Sequence, residues 1–316
     1  MPAERTYAFP EFREGMDHGH YDWSPLNATR AKIEWPQRAR VALCVIVALE
    51  HAEWQQPPQS FREPNFAGGY GWGPFPDVTA WSHREYGHRV GIFRVLDVLA
   101  KHGIKPTVAM DALTAEHYPF LVRHCLERGC EFIAHGIAAN RMVTSRMSED
   151  EEREYIHTSV TTLERATRSM PKGWLGPGFG ESVRTPALLA QAGLAYVCDW
   201  ANDEQPYRMH VPAGDLHVLP VSLPVDDINA LWERRIDIDD YDRMIRETFD
   251  TLYADGADNA RLLVLSLHPF LIGQPFRIGS LDAALSHIGR HSAVWRATGS
   301  EIVGHFAGLN APGACR

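Results

Sequence analysis

Several polar residues stand where long apolar runs stop. Glu50 and His51 follow the run VALCVIVAL, His135 ends the stretch EFIAH, Asp199 ends VCD just before Trp200, and His268 ends RLLVLSLH. A carboxylate in such a place can take a proton from water or hold a metal ion, and a histidine can give a proton or ligate. Asp199 can orient a partner or cap the following loop. Taken singly, each is also what a strand that simply ends in a polar residue would look like. Four such endings in one chain point instead to a site built from separate strands. Glu53, Asn140 and Arg141 lie close to these endings in sequence.

The elements that must carry these residues follow from the apolar pattern. The run at 41–49 is continuous and β-branched, as expected of a parallel strand covered on both faces. Further strands are expected near 105–110, 131–135, 172–176, 195–199, 216–221, 261–268 and 293–297. Helices are expected near 88–102, 118–128, 148–168, 184–192, 239–255, 279–289 and 300–308. Ser148 with Glu151 and Thr298 with Glu301 have capping-box spacing and mark two helix starts. This alternation predicts an α/β fold, a distorted (β/α) barrel of seven or eight mostly parallel strands, whose site would lie where the strands end. Residues 1–38 read as an extended segment packing on the barrel or on a neighbour, and 39–316 as the barrel domain. The stretch 51–87 reads as a long loop with Trp54, Phe61, Phe66, Tyr70, Trp72, Phe75 and Trp81, able to fold over the mouth.

A chain of 316 residues, 45% of them hydrophobic, can bury one large core. Its net charge of −9 excludes a nucleic-acid binder or a polybasic membrane-surface protein, since both need a concentrated positive field. No apolar run is long enough to span a bilayer and none near the start reads as a secretion signal, so the expectation is a cytoplasmic protein. A homo-oligomer acting on a small molecule or sugar is expected. Cys44, Cys125, Cys130, Cys198 and Cys315 are scattered without CxxC spacing and read as buried thiols.

Over residues 40–308 the order of these endings resembles the polysaccharide deacetylases, the NodB-homology domains of carbohydrate esterase family four, and more closely their allantoinase-like branch. The resemblance sets Leu49-Glu50-His51 at the family's T-F-D-D motif, making Glu50 the base and His51 the replacement of the metal-binding Asp. His135 takes the first place of H-[ST]-x-x-H, but Ala139 stands where the second metal histidine belongs. Gly173 to Gly178 resembles the substrate-groove motif without its Arg, placing Trp174 and Pro177 at the substrate. Asp199-Trp200 matches the Asp-Trp pair and Ser266-Leu267-His268 the L-x-H motif, with His268 as the acid. The stretches Arg84 to Gly91 and His268 to Pro275 are typical of the allantoinase-like branch.

The resemblance thus implies Glu50, Asp199 and His268 as catalytic residues. Arg84, Arg89, Asn140, Trp174, Pro177 and Trp200 would contact substrate, and His51 and His135 would hold one divalent metal, zinc, in a site weakened by Ala139. The reaction implied is hydrolysis of a non-peptide C–N bond in a small linear or cyclic amide or ureide. The alternatives are a metal-dependent carbohydrate N-deacetylase and an inactive binding protein on the same barrel. Without a metal, Glu50 would deprotonate water, His268 would protonate the leaving nitrogen, and Arg84, Arg89 or backbone amides would hold the oxyanion.

Overall fold

A computed structural model of the chain describes residues 18–22, 25–55 and 78–309. The apolar runs form β1 (Val41–Leu49), β2 (Thr107–Met110), β3 (Glu131–Ala134), β4 (Gly173–Trp174) and β5 (Tyr196–Val197). Then follow β6 (Tyr207–Met209), β7 (Leu216–Val218), β8 (Arg261–Leu267) and β9 (Val294–Arg296). They make one nine-stranded sheet in the order β6-β7-β5-β4-β3-β2-β1-β8, with β9 on the first residues of β1. All pairings are parallel except β6 with β7. The sheet curls into a distorted (β/α) barrel with helices outside.

Between β7 and β8 no ladder forms among the described residues. The gap is bridged by irregular bonds: the Ser222 N–H donates to the Val264 carbonyl (3.2 Å) and the Leu262 N–H to the Glu204 carbonyl (2.8 Å). The ninth strand, β6, was not expected from sequence because it is three residues long, antiparallel and half-exposed at a sheet edge, so it carries no apolar run.

Strand alternation separates two cores. Val41, Leu43, Val45, Val47 and Leu49 pack outward under the helices, whereas Ala42, Cys44 and Ile46 join Ala109, Ile133, Leu175, Val264 and Tyr196 inside the curl. The same parity carries on past the strand ends. Leu49 pairs with Met110 and Met110 with Ala134, so Glu50, Asp111 and His135 follow at one level on three neighbouring strands. Each continues the inward row, as does His268 beyond Val264 and Ser266. Period and register alone therefore deliver four ionisable groups to the rim of the inner core.

Helices lie close to where the apolar periods place them, and both capping boxes form, at Ser148 with Glu151 and at Thr298 with Glu301. The region from 51 to 87 needs correction. Residues Val78–Tyr86 are α-helical and run through a π-helical turn, Gly87–Gly91, into the helix Ile92–Lys101. Gly87 and Gly91 look like helix terminators, but here they let the helix approach the loop after β8. A Cβ on Gly87 would come within 2.9 Å of the Phe270 backbone nitrogen, and one on Gly91 would run into the Pro269 carbonyl. Gly273 meets this seam from the other side, where a Cβ would lie 2.6 Å from the Gly91 Cα. Phe61, Phe66, Tyr70, Trp72 and Phe75 lie outside the described residues. Trp54 and Trp81 meet edge to face at 5.3 Å.

Before β1, His18, His20 and Tyr21 ring Trp200 at 5.7 to 6.1 Å, and the indole N–H of buried Trp35 donates to the Arg261 carbonyl (2.6 Å). Cys44, Cys125, Cys130 and Cys198 are buried free thiols; Cys315 lies outside the described residues. No helix of the described residues is long and apolar enough to cross a membrane.

Candidate active site

Glu50 sits at the centre. Its Oε1 faces His135 Nε2 at 3.0 Å, its Oε2 takes a short charged hydrogen bond from the Arg84 guanidinium, and His268 Nε2 lies 3.9 Å from the same oxygen. Arg84 comes from the helix that runs into the π-turn, and Phe270 supports it from below, with its ring centroid 4.9 Å from the guanidinium carbon. Burial alone would raise the Glu50 carboxyl, but Arg84, the His135 hydrogen bond and the charge of His268 overcome it and hold Glu50 well below the usual range. Glu50 is therefore held as the anion at neutral pH.

His268 is fixed by a residue that sequence reasoning missed. Its backbone N–H donates to Asp227 Oδ2 (2.8 Å) and its Nδ1–H to Asp227 Oδ1 (2.6 Å). Burial would lower His268, but the charge of Asp227 and that hydrogen bond, helped by Glu50 and Asp226, raise it to about 9. With Nδ1 committed to Asp227, the Nε2–H is the proton turned toward Glu50. The sequence signal was the adjacent pair Asp226-Asp227 after LPVSLPV, two carboxylates entering the π-helical turn Ile228–Glu233.

The remaining expected residues divide. Asp199 accepts from the Gly176 N–H (2.7 Å) and lies against Glu181, which accepts from the Trp200 indole (3.0 Å). Burial raises Asp199 to about 7 and, with the charge of Asp199, pushes Glu181 well above its usual value. Pro177 is buried against Gly136, and Trp174 is wholly buried in the core, so Trp174 offers no surface to a substrate. Arg89 is exposed on the π-turn rather than turned into the site. Asn140 is buried, accepts from the Glu53 N–H (3.3 Å), and keeps an unpaired amide nitrogen.

Because the Asp199 carboxyl is raised, the folded chain binds a proton there that the unfolded chain has lost. Stability is therefore expected to fall as the pH rises between 3.8 and about 7. Urea midpoints across that window, with Asp199→Asn as the comparison, check it: the variant should show a flatter dependence.

The expected metal set does not assemble. His135 has Glu50 Oε1 against its Nε2 at 3.0 Å and the Leu175 carbonyl against its Nδ1, so both ring nitrogens already have partners. The His51 ring turns away to Glu85 (3.7 Å) and His117, while its N–H donates to Asp111. A fixed guanidinium already neutralises Glu50. Among the described residues, His51 and His135 belong to no group of three potential ligands within 4.8 Å of one another. Asp226, Asp227 and His268 do form such a group, as do Asp250, His287 and His291 on the outer helices.

Residues 84–197, beginning at the arginine that pairs with Glu50, match a family profile described as polysaccharide deacetylase. Over those residues the chain is similar to the polysaccharide deacetylases. A Schizosaccharomyces pombe protein provisionally named a polysaccharide deacetylase is 27% identical over 296 residues, covering 85% of this chain and 90% of its own. A Helicobacter pylori peptidoglycan deacetylase is 22% identical over 275 residues, covering 77% of this chain and 92% of its own. The fold is shared with the crystal structure of PuuE allantoinase at a TM-score of 0.79 and 24% identity, over 92% of this chain and 98% of that one. Within this deacetylase-like barrel, the groups able to do chemistry are a pinned carboxylate, a cationic histidine and an arginine.

Proposed function

We propose that the chain is a hydrolase that cuts a non-peptide C–N bond in a small linear or cyclic amide or ureide. The observation that carries this reading is the facing pair of anionic Glu50 and protonated His268, 3.9 Å apart, with Arg84 between the carboxylate and the Phe270 ring. The substrate carbonyl takes hydrogen bonds from Arg84, which loosens the hold of the guanidinium on Glu50. Glu50 then accepts a proton from water as the water oxygen bonds to the acyl carbon and the carbonyl electron pair moves to oxygen. As the tetrahedral species collapses, the C–N bond breaks and His268 Nε2 gives its proton to the leaving nitrogen. Asp227 keeps the ring aligned throughout.

The recessed reacting groups favour a small substrate. Glu50, His135 and His268 are 8%, 2% and 6% exposed, whereas a polymer chain needs an open groove to lie across them. The carbohydrate N-deacetylase remains the second reading, favoured by the metal-spaced group Asp226, Asp227 and His268.

A paired assay tests the two: ring opening or amide cleavage over a panel of cyclic ureides and small amides, against acetate release from chito-oligosaccharides, each with chelator-dialysed and zinc-supplemented protein. Faster turnover of a small amide or ureide, unchanged by chelation, is expected. Faster acetate release that needs added metal would replace the first reading with the second, and no turnover on either panel would leave a binding protein.

A further inference from the structure

A cavity of about 620 Å³ has a lining that includes none of Glu50, Arg84, His135 and His268. The Phe270 ring contacts residues of both the cavity and the site. His83 and Trp232, which line the cavity, sit 5.2 and 6.2 Å from it, while Arg84 and His268 approach it from the site at 4.9 and 6.0 Å. In a chain of net charge −9, the described residues lining this cavity include Arg235 and Arg277 but no aspartate or glutamate. The carboxylate acting on Arg277 is Asp227, which is already committed to His268.

The geometry points to this cavity as a binding site for a small organic carboxylate with a flat body. Arg235 and Arg277 would take the carboxylate, since a guanidinium fork matches its two oxygens. The flat part would lie against the aromatic wall, where His83 stacks on Trp232 at 5.6 Å and 26° and Phe276 is 67% exposed. The volume falls within the range of roughly 300–1,000 Å³ usual for small-molecule pockets.

Local backbone geometry supports a dedicated site. Arg235 has φ 53°, a left-handed conformation uncommon for a residue other than glycine, just past Arg234, which caps the π-helical turn Ile228–Glu233 that supplies Trp232. Thr79, Ser82, His83 and Tyr86 reach the cavity from the helix Val78–Tyr86, just before the other π-turn. Such turns occur often at functional sites. The Gln274 amide, which lines the cavity, donates to the Phe270 carbonyl at 3.2 Å and so ties the cavity to the loop after β8. This inference does not depend on which bond the neighbouring groups cut.

Titration calorimetry with benzoate, benzamide and inorganic phosphate tests it. Benzoate is expected to bind at least tenfold more tightly than either of the others. Arg277→Gln and the more exposed Arg235→Gln should each weaken benzoate tenfold or more while keeping the thermal midpoint, and Glu50→Gln should keep wild-type affinity. Equal binding of benzamide, equal binding of phosphate, unchanged affinity in both arginine variants, or no benzoate binding at all would overturn the site. A tenfold loss in Glu50→Gln would place benzoate at the reacting groups and overturn it as well.

Discussion

His268→Ala and Glu50→Gln are each expected to lower kcat by about 10²–10⁴ on whichever amide proves to be the substrate, the usual worth of general acid–base participation. The proton on His268 Nε2 exists at neutral pH only because Asp227 holds the ring cationic, so the same argument fixes the pH dependence. The group is raised to about 9, and the leaving nitrogen needs its protonated form, so turnover should fall as the pH rises through that value. Asp227→Asn removes the charge that does most to raise His268 and should move this alkaline limb to lower pH, besides reducing kcat. A merely structural Asp227 would lower activity without moving the limb. The stability sign is the same: the His268 contribution is complete below 6.5 and is lost as the pH rises through about 9. Losses below tenfold in both Glu50→Gln and His268→Ala would show that other residues carry the reaction.

Arg84→Met should be the most destabilising single change at the site. It leaves the Glu50 carboxylate buried beside two histidines without its fixed cation, and breaking one side of a buried ion pair typically costs about 3–5 kcal/mol. The dependence on pH distinguishes this from a packing defect. In the native chain Glu50 is held below its usual value, so its contribution is present above 4.5 and disappears as the pH falls. Without Arg84 the carboxyl loses the largest of the influences that oppose burial and moves up from its native position, so the variant should regain stability relative to the native chain on acidification. Urea midpoints for both proteins at pH 5 and pH 8 measure this: the gap between them should be wider at the higher pH, and a gap of constant width would mean that lost packing, not the stranded charge, is the cause.

Much of the scaffold was legible because its signals are local. The apolar runs at 41–49 and 261–267 are long enough to announce strands, and their parity fixes which of the following polar residues turn inward. That is why Glu50, His135 and His268 could be named from sequence and are found together. The partners were not legible, because they arrive from far along the chain on elements with weak signals. Arg84 reaches Glu50 from 34 residues away on a helix that looked like loop, and Asp227 reaches His268 from 41 residues away out of a π-turn. Side-chain competition was hidden as well. His51 follows Glu50 directly, yet period-two alternation turns it out of the inward row, toward Glu85 and His117. Trp174 reads as a groove residue by motif, but its strand buries it completely.

The glycine seam bears on how such chains can exchange parts. Gly87 and Gly91 press against Phe270 and Pro269, and Gly273 closes on Gly91, so two short stretches far apart in the sequence are fitted as one joint. Hybrid genes cut anywhere between them take the two halves of that joint from different parents. A parent with any side chain at Gly91 or Gly273 would contribute a half that cannot seat, and both Arg84 and His268 would shift with it. Crossovers outside residues 84–275 leave the joint whole. Viable recombinants between relatives should therefore inherit both stretches together, as if they were linked on the gene.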